Sequence, residues 1–258
     1  MPVGKLENDM RFGWIPDLPD IRDLLMSSKL MKAGNVPLPP KVDLSVAFPD
    51  VYDQGNIGSC TAQAIASALD FCHQRAAGSR FNPSRLFIYY NERVIIGTAS
   101  VDSGASIRDG IKSVNNIGAC KETLWPYDGN DFKKEPSEAC YQDALNYQSL
   151  SYYKIIHTNL NECKQCLANS YPFVFGVSIY DSFMSAEGTG VVPMPYLTDQ
   201  LQGGHAMLCV GYDDEKQAFL VRNSWGEGWG MKGYCWMPYE YMTHRELAAD
   251  FWAITSAE

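Results

Sequence analysis

Cysteine is usually a small buried hydrophobe, and a reactive one needs surroundings that favour the thiolate. Cys60 has such surroundings in the sequence. It follows Asp53-Gln54-Gly55-Asn56-Ile57-Gly58-Ser59, a turn-forming stretch, and precedes Thr61-Ala62-Gln63-Ala64-Ile65-Ala66, which begins a run of helix formers free of Gly and Pro. The pattern predicts a helix from Thr61 to Arg75 with Cys60 in its first turn. There the unpaired amides and the positive end of the helix dipole favour thiolate over thiol, and the same amides can hold an oxyanion. Gln54, across a glycine-bearing turn, can fold its side-chain NH2 toward the sulfur as a second donor. A structural cap would need no glutamine there.

Of four histidines, elimination leaves one as a base. His73 lies along the same helical rod, roughly 20 Å from Cys60 at 1.5 Å per residue. His157 sits in a polar connector and His244 near the C-terminus, and both are expected to be solvated. His205 follows Gly203-Gly204 and opens Ala206-Met207-Leu208-Cys209-Val210-Gly211-Tyr212, which reads as a buried strand. A second strand, Ala218 to Asn223, ends in an asparagine whose carbonyl can fix the tautomer of an adjacent imidazole. A lone strand-end histidine is ordinarily a satisfied core residue; the glycines before His205 and the asparagine strand after it argue otherwise. Trp225 can roof the pair, although plain core packing explains Trp225 and Trp229 equally well.

Gln54, Gly58-Ser59-Cys60, Gly204-His205-Ala206 and Asn223-Ser224-Trp225-Gly226 resemble, in order, the catalytic blocks of papain-like cysteine proteases. Leu38-Pro39-Pro40-Lys41-Val42-Asp43-Leu44 is similar to the start of a mature domain of that family, and Leu124-Trp125-Pro126-Tyr127 to its central Tyr-Pro-Tyr block. The resemblance spans roughly residues 38 to 240. It implies an α+β, two-lobe fold, with a helical left lobe (about 45–145), an antiparallel β-barrel-like right lobe (about 146–258) and an active-site cleft between them. It implies a thiol peptidase in which Cys60 attacks, His205 is the acid/base, Asn223 orients it and Gln54 holds the oxyanion; Gly104, Gly204 and Trp225 would bind substrate. Peptide or protein substrates and protein inhibitors are the implied partners, acting on a monomer without cofactor or metal. Three features depart from the family pattern. Thr61 replaces the usual aromatic after the nucleophile, Ile57 replaces a cysteine that commonly forms a disulfide, and Asp102-Ser103-Gly104-Ala105-Ser106-Ile107 replaces a Gly-Gly strand that holds substrate backbone. Two other readings use the same residues: a thiol acyltransferase passing the acyl group to an amine, and a catalytically silent peptide-binding module.

Residues 1–37 form an extension, with a short helix-like Ile21-Arg22-Asp23-Leu24-Leu25-Met26 and a break at Gly34-Asn35-Val36-Pro37. The family commonly carries a propeptide that occludes the cleft, so this extension is a candidate, with residues 38–258 as the catalytic domain. A structural arm packed on the outside is the competing reading. Further expected elements are helices at Pro83–Asn91 and Ile107–Val114 and strands at Phe173–Ile179 and Gly233–Met237. Cys163-Lys164-Gln165-Cys166 invites a zinc or redox reading, but two further ligands at suitable spacing are missing, and Asn159-Leu160-Asn161-Glu162 reads as a helix start that places the pair at i and i+3. With eight cysteines and one assigned as nucleophile, an odd number remains, so cysteine content does not fix the compartment. A net charge of −9 argues against nucleic acid as a partner. The N-terminus has no uninterrupted apolar core of a signal peptide, and no stretch reaches the ~18 apolar residues of a membrane span. A soluble enzyme is expected, in a secreted or lysosome-like compartment only if a signal has been removed.

Overall fold

The central strands in the second half of the chain, at 173–180, 201–213 and 218–222, bury both faces, and this sets the architecture. The computed structural model describes residues 11–33 and 37–257. Its helices are α1 (Met26–Ala33), α2 (Cys60–Ala77), α3 (Arg85–Ile95), α4 (Ile107–Asn116), α5 (Glu138–Ala144), α6 (Leu160–Ala168), α7 (Ala186–Thr189) and α8 (Tyr239–Thr243). Its strands are β1 (Lys41–Asp43), β2 (Ser149–Ile155), β3 (Phe173–Tyr180), β4 (Leu201–Asp213), β5 (Ala218–Arg222), β6 (Tyr234–Pro238) and β7 (Ala248–Ala257). The strands form one antiparallel sheet in the order β2-β7-β3-β4-β5-β6, with β1 on β4. The expected α+β architecture is observed, and the sheet is not closed into a barrel.

Alternation along each strand sends successive side chains to opposite faces. Phe173, Phe175, Met207, Cys209, Phe219, Val221 and Phe251 point into one core with α6 and α8. Val174, Ala206, Leu208, Val210, Leu220, Trp252 and Ile254 point into a second core built on α2, α3 and α4. Helix α2 is buried from Cys60 to His73. Its alanines at 62, 64, 66 and 68 keep it slim, so the sheet packs closely against it. Gly78, at φ 73°, ends it in a left-handed cap.

The extension departs from expectation at Ile21–Met26. Asp20 accepts from the backbone N–H and the guanidinium of Arg22, closing a turn, and the helix begins only at Met26. The expected break at 34–36 lies outside the described residues, as do residues 1–10 of the N-terminus. All eight cysteines are free and buried, with Cys163 and Cys166 inside the first core. Among the described residues, no helix is long and apolar enough to cross a membrane, and no His/Cys/Asp/Glu group could hold a metal.

Candidate active site

Cys60 is the first residue of α2, with Ser59 at the N-cap. The turn before it is pinned from three sides. Asp102 accepts from the Gly58 N–H at 2.9 Å, the Tyr127 hydroxyl donates to the Gln54 carbonyl at 2.8 Å, and Gln54 N–H donates to the Ser224 carbonyl at 2.9 Å. Ser224 Oγ also donates to Gln54 Oε1 at 2.7 Å. That bond orients the amide so that Nε2 faces the turn, donating to the Ile57 carbonyl at 3.0 Å. Thr61, in place of the aromatic, turns inward and donates to Glu92 Oε1 at 2.6 Å, a fully buried carboxyl that desolvation pushes up to about 8.

The candidate base comes from the sheet. β4 carries His205 opposite Val177 of β3, and its neighbour Ala206 supplies an N–H to the Cys60 sulfur. His205 Nε2 lies 2.8 Å from Asn223 Oδ1, which also accepts from the Ser224 N–H at 2.8 Å. Because that oxygen can only accept, Nε2 carries the proton and Nδ1 is the free nitrogen; Nδ1 has no partner among the described residues. Trp225 stacks on the imidazole at a 4.7 Å centroid distance and stands edge-on to Trp229, which stacks on Phe183. Trp225 therefore roofs the pair, and Trp229 is the core residue beneath that roof. His157 is not solvated as expected: it stacks on Phe251 at 5.0 Å, and burial lowers its pKa. His73 is buried at the far part of α2, its Nδ1 3.0 Å from the Ser79 carbonyl.

The expected open cleft is filled by the chain's own residues 11–17. The Arg11 carbonyl accepts from Gln54 Nε2 at 3.0 Å, and the Gly13 N–H points at the Cys60 sulfur. Ala105 N–H donates to the Gly13 carbonyl at 2.8 Å, Ile15 N–H to the Ala105 carbonyl at 2.9 Å, and Trp14 N–H to the Gly204 carbonyl at 3.0 Å. Of the three expected substrate-binding residues, Gly204 and Trp225 touch this strap directly: Trp225 and His205 meet the Phe12 ring edge at 6.2 and 6.0 Å. Gly104 acts differently, since the backbone pairing falls on Ala105. Gly104 holds φ 73°, and a Cβ there would overlap the Gly13 carbonyl. A Cβ on Gly13 would in turn overlap the Gly58 carbonyl.

Cys60 and His205 are both 0% exposed beneath the strap. Desolvation pushes the thiol up to about 12 and the imidazole down to about 4, so both are neutral in this state. Beyond the residues expected from sequence, the structure brings Ser224, Asp102, Tyr127 and the strap itself to the site. The sequence signal for the strap is Phe12-Gly13-Trp14, two large aromatics around a glycine.

A sequence model described as papain family cysteine protease matches residues 38–251. An uncharacterized peptidase C1-like protein of Acanthamoeba polyphaga mimivirus is 40% identical over 94% of this chain and 86% of its own. Xylellain, a cysteine protease from Xylella fastidiosa, superposes with a TM-score of 0.89 at 45% identity, covering 100% of this chain and 99% of that one. A procathepsin L2 from the larval midgut of Tenebrio molitor shares the fold, with a TM-score of 0.78 at 23% identity over 96% and 79% of the two chains.

Proposed function

The chain belongs to the papain family of cysteine proteases, and from that premise we propose that it hydrolyses peptide bonds through a thioester on Cys60, and that residues 11–17 hold it latent. The observation that carries the catalytic assignment is the His205 ring, held by Asn223 on the residue next to Ala206, whose N–H reaches the sulfur of a cysteine at a helix N-terminus. Once solvent returns to the site, the α2 amides and a neighbouring imidazolium favour the thiolate. The sulfur attacks the substrate carbonyl carbon, and the carbonyl electrons move to oxygen, which accepts from Gln54 Nε2 and the Cys60 N–H. His205 gives its proton to the amine as the C–N bond breaks. It then takes a proton from water, which attacks the thioester and frees the acid and the thiol. Ser224 keeps the Gln54 amide facing the oxyanion, and Asn223 keeps the imidazole in register.

The latency assignment rests on what the strap offers the sulfur. A substrate presents a carbonyl carbon to the nucleophile; the strap presents the Gly13 N–H, which cannot be attacked. The only strap carbonyl at Gln54 is that of Arg11, two residues away, and the thiol beneath is neutral. A peptide so placed fills the cleft without being cut. Residues beyond it are anchored separately: Asp23 takes Arg108 Nε and Nη2 at 3.0 and 2.6 Å and Lys154 at 3.1 Å, while Met26 and Leu30 enter the core. The displaced part is then 11–17, not the whole extension.

The test is turnover of fluorogenic peptides by the full chain and its variants. Cys60→Ala and His205→Ala abolish hydrolysis, whereas Asn223→Ala retains a measurable fraction because it positions the ring without exchanging a proton. Equal loss in all three would remove the graded roles. Product mass in the presence of an added amine separates hydrolysis from acyl transfer.

A further inference from the structure

The two oxyanion donors, Gln54 Nε2 and the Cys60 N–H, sit on either side of the Gly55-Asn56-Ile57-Gly58 turn, with Gly55 at φ 59°. Tyr127, from a distant loop, bonds to both sides of that turn. Its hydroxyl lies 2.8 Å from the Gln54 carbonyl and 2.6 Å from Ser59 Oγ, on the residue before the nucleophile. A carbonyl only accepts, so the single phenolic proton goes to Gln54 and Ser59 donates to Tyr127. Ser59 Oγ in turn accepts from Gln63 Nε2 at 3.2 Å, and Gln63 Oε1 accepts from Arg85 Nη1 at 3.4 Å. The donors therefore run one way, from Arg85 to the Gln54 carbonyl, and each bond polarises the next. Burial pushes the phenol well above its usual range, so the proton that reaches Gln54 stays in place.

We propose that Tyr127 is a positioning residue for the oxyanion hole: its hydroxyl ties the Gln54 carbonyl to the Ser59 side chain, and so holds Gln54 Nε2 and the Cys60 N–H at one spacing. This rests on the proteolytic reading above. Ser59 occupies the N-cap of α2, where a serine ordinarily accepts from a first-turn amide; here it makes no such bond, and its Oγ is committed to Tyr127 and Gln63. The Tyr127 ring is fixed without its hydroxyl. It stacks on the Arg85 guanidinium at 4.4 Å, and its N–H donates to Glu122 Oε1 at 2.8 Å, the oxygen that also takes Arg85 Nη2 at 2.6 Å. Among the described residues, no other donor reaches the Gln54 carbonyl. Without it, Ser224 still holds the Gln54 N–H and amide oxygen, but the carbonyl loses its tie to the start of α2. A shift of about 1 Å between donors is enough to cost on the order of a hundredfold in rate. Tyr127 hydrogen-bonds to neither the sulfur, the imidazole nor the strap, so it acts through Gln54 and Cys60.

The experiment uses the full chain carrying Gly13→Ala, whose methyl would overlap the Gly58 carbonyl and so lifts the strap, with and without Tyr127→Phe. Phenylalanine keeps the ring on Arg85 and removes only the hydroxyl. With a fluorogenic peptide, Tyr127→Phe lowers kcat by about tenfold or more and leaves KM within about twofold, the pattern of an interaction made in the transition state. A peptide aldehyde gives a second readout. The Cys60 sulfur bonds to its carbonyl carbon, the C=O π bond breaks and the thiol proton goes to the oxygen, which takes the oxyanion's place. The corresponding peptide alcohol binds without that addition, so the ratio of the two dissociation constants reports the hole. Tyr127→Phe lowers the aldehyde's advantage by about tenfold, while Cys60 alkylation by iodoacetamide, which needs the thiolate and no oxyanion hole, stays within about twofold. Tyr141→Phe, which removes a hydroxyl bonded to Asn91 at 3.1 Å in the same lobe, changes neither readout. An unchanged aldehyde/alcohol ratio in folded Tyr127→Phe overturns the assignment, as does an equal fall in turnover and alkylation. Absence of turnover from the Gly13→Ala chain sinks the protease reading while the ratio still decides Tyr127; absence of any aldehyde advantage there overturns both. If Tyr127→Phe does not fold, Ser59→Ala cuts the chain one link earlier, and a ratio that falls by less than about threefold overturns the proposal.

Discussion

Gly13→Ala tests the strap at its tightest point. The new methyl would overlap the carbonyl of Gly58, in a turn that Asp102 holds through the Gly58 N–H at 2.9 Å. Backbone meets the added atom, so no rotamer change relieves the overlap, and the strap must lift around residue 13. Lifting breaks three backbone hydrogen bonds: Ala105 to Gly13, Ile15 to Ala105 and Trp14 to Gly204. At about 0.5–1.5 kcal/mol net each, the covered state loses about 1.5–4.5 kcal/mol relative to the open one. With about 1.4 kcal/mol per factor of ten, the open population rises by about tenfold to a thousandfold wherever it is minor in the parent. The readout is the second-order rate of Cys60 alkylation by a thiol-directed peptidyl epoxide on the full chain. The other seven cysteines are buried, and Cys60→Ala gives the background. A folded Gly13→Ala chain, with its thermal midpoint unchanged, that labels no faster than the parent would refute the reasoning.

Further predictions concern pH and the buried carboxyl at α2. Closing the strap raises Asp250 to about 6, so closure takes up a proton there and is favoured below that pH; it lowers His205 to about 4, so closure expels a proton and is opposed once pH falls below 6.5, fully so below about 4. The two terms oppose each other, and Asp250→Asn removes one. The ratio of variant to parent labelling rates should then rise as pH falls through 6, and a flat ratio between pH 4.5 and 7 would dismiss the coupling. Glu92, raised to about 8 by burial, contributes stability that is complete below its unfolded carboxylate range and is lost as pH rises toward 8. The thermal midpoint should fall between pH 5 and 8.5, and Glu92→Gln should flatten that fall. Thr61→Val removes the 2.6 Å donor to Glu92 and should cost about 1–3 kcal/mol in urea unfolding, with a cost under about 0.5 kcal/mol counting against the bond.

The parts of the site legible in the sequence are those whose local pattern and chemical role coincide. Cys60 sits where turn formers give way to helix formers, so one signal marks both the helix start and the proposed nucleophile. His205 lies inside β4, which begins four residues earlier than the apolar run suggests, and Asn223 lies just past the end of β5; both belong to runs that bury both faces, and continuous apolar strands are easy to see. β7 was not seen, because Asp250 interrupts Ala248-Ala249-Asp250-Phe251-Trp252 where a strand reading expects an apolar residue. The interruption is the bulge that turns Asp250 toward Trp14, so the residue that hid the strand is one that holds the strap. β2 was missed for a milder reason: its residues are mostly half-buried, and its Ser and Lys blur the alternation.

The strap was legible only as a candidate propeptide, and tertiary contacts explain why. Nothing in Arg11-Phe12-Gly13-Trp14-Ile15 favours a strand of its own, since its hydrogen bonds go to Gln54, Ala105 and Gly204, residues far away in the chain. Its glycine is needed because of Gly58, and the catalytic body carries Gly104, Gly176, Gly203 and Gly204 where side chains would collide with the strap. Such reciprocal clearance does not arise from an arm resting on an outer surface. Phe12 reaches the His205 and Trp225 rings, Trp14 fills a slot ending in a carboxylate, and Gly13 faces the sulfur. Three consecutive residues thus cover His205, the slot and Cys60. A change at any one of them should alter Cys60 reactivity more than a comparable change at Leu18 or Leu24, which are exposed in the same extension.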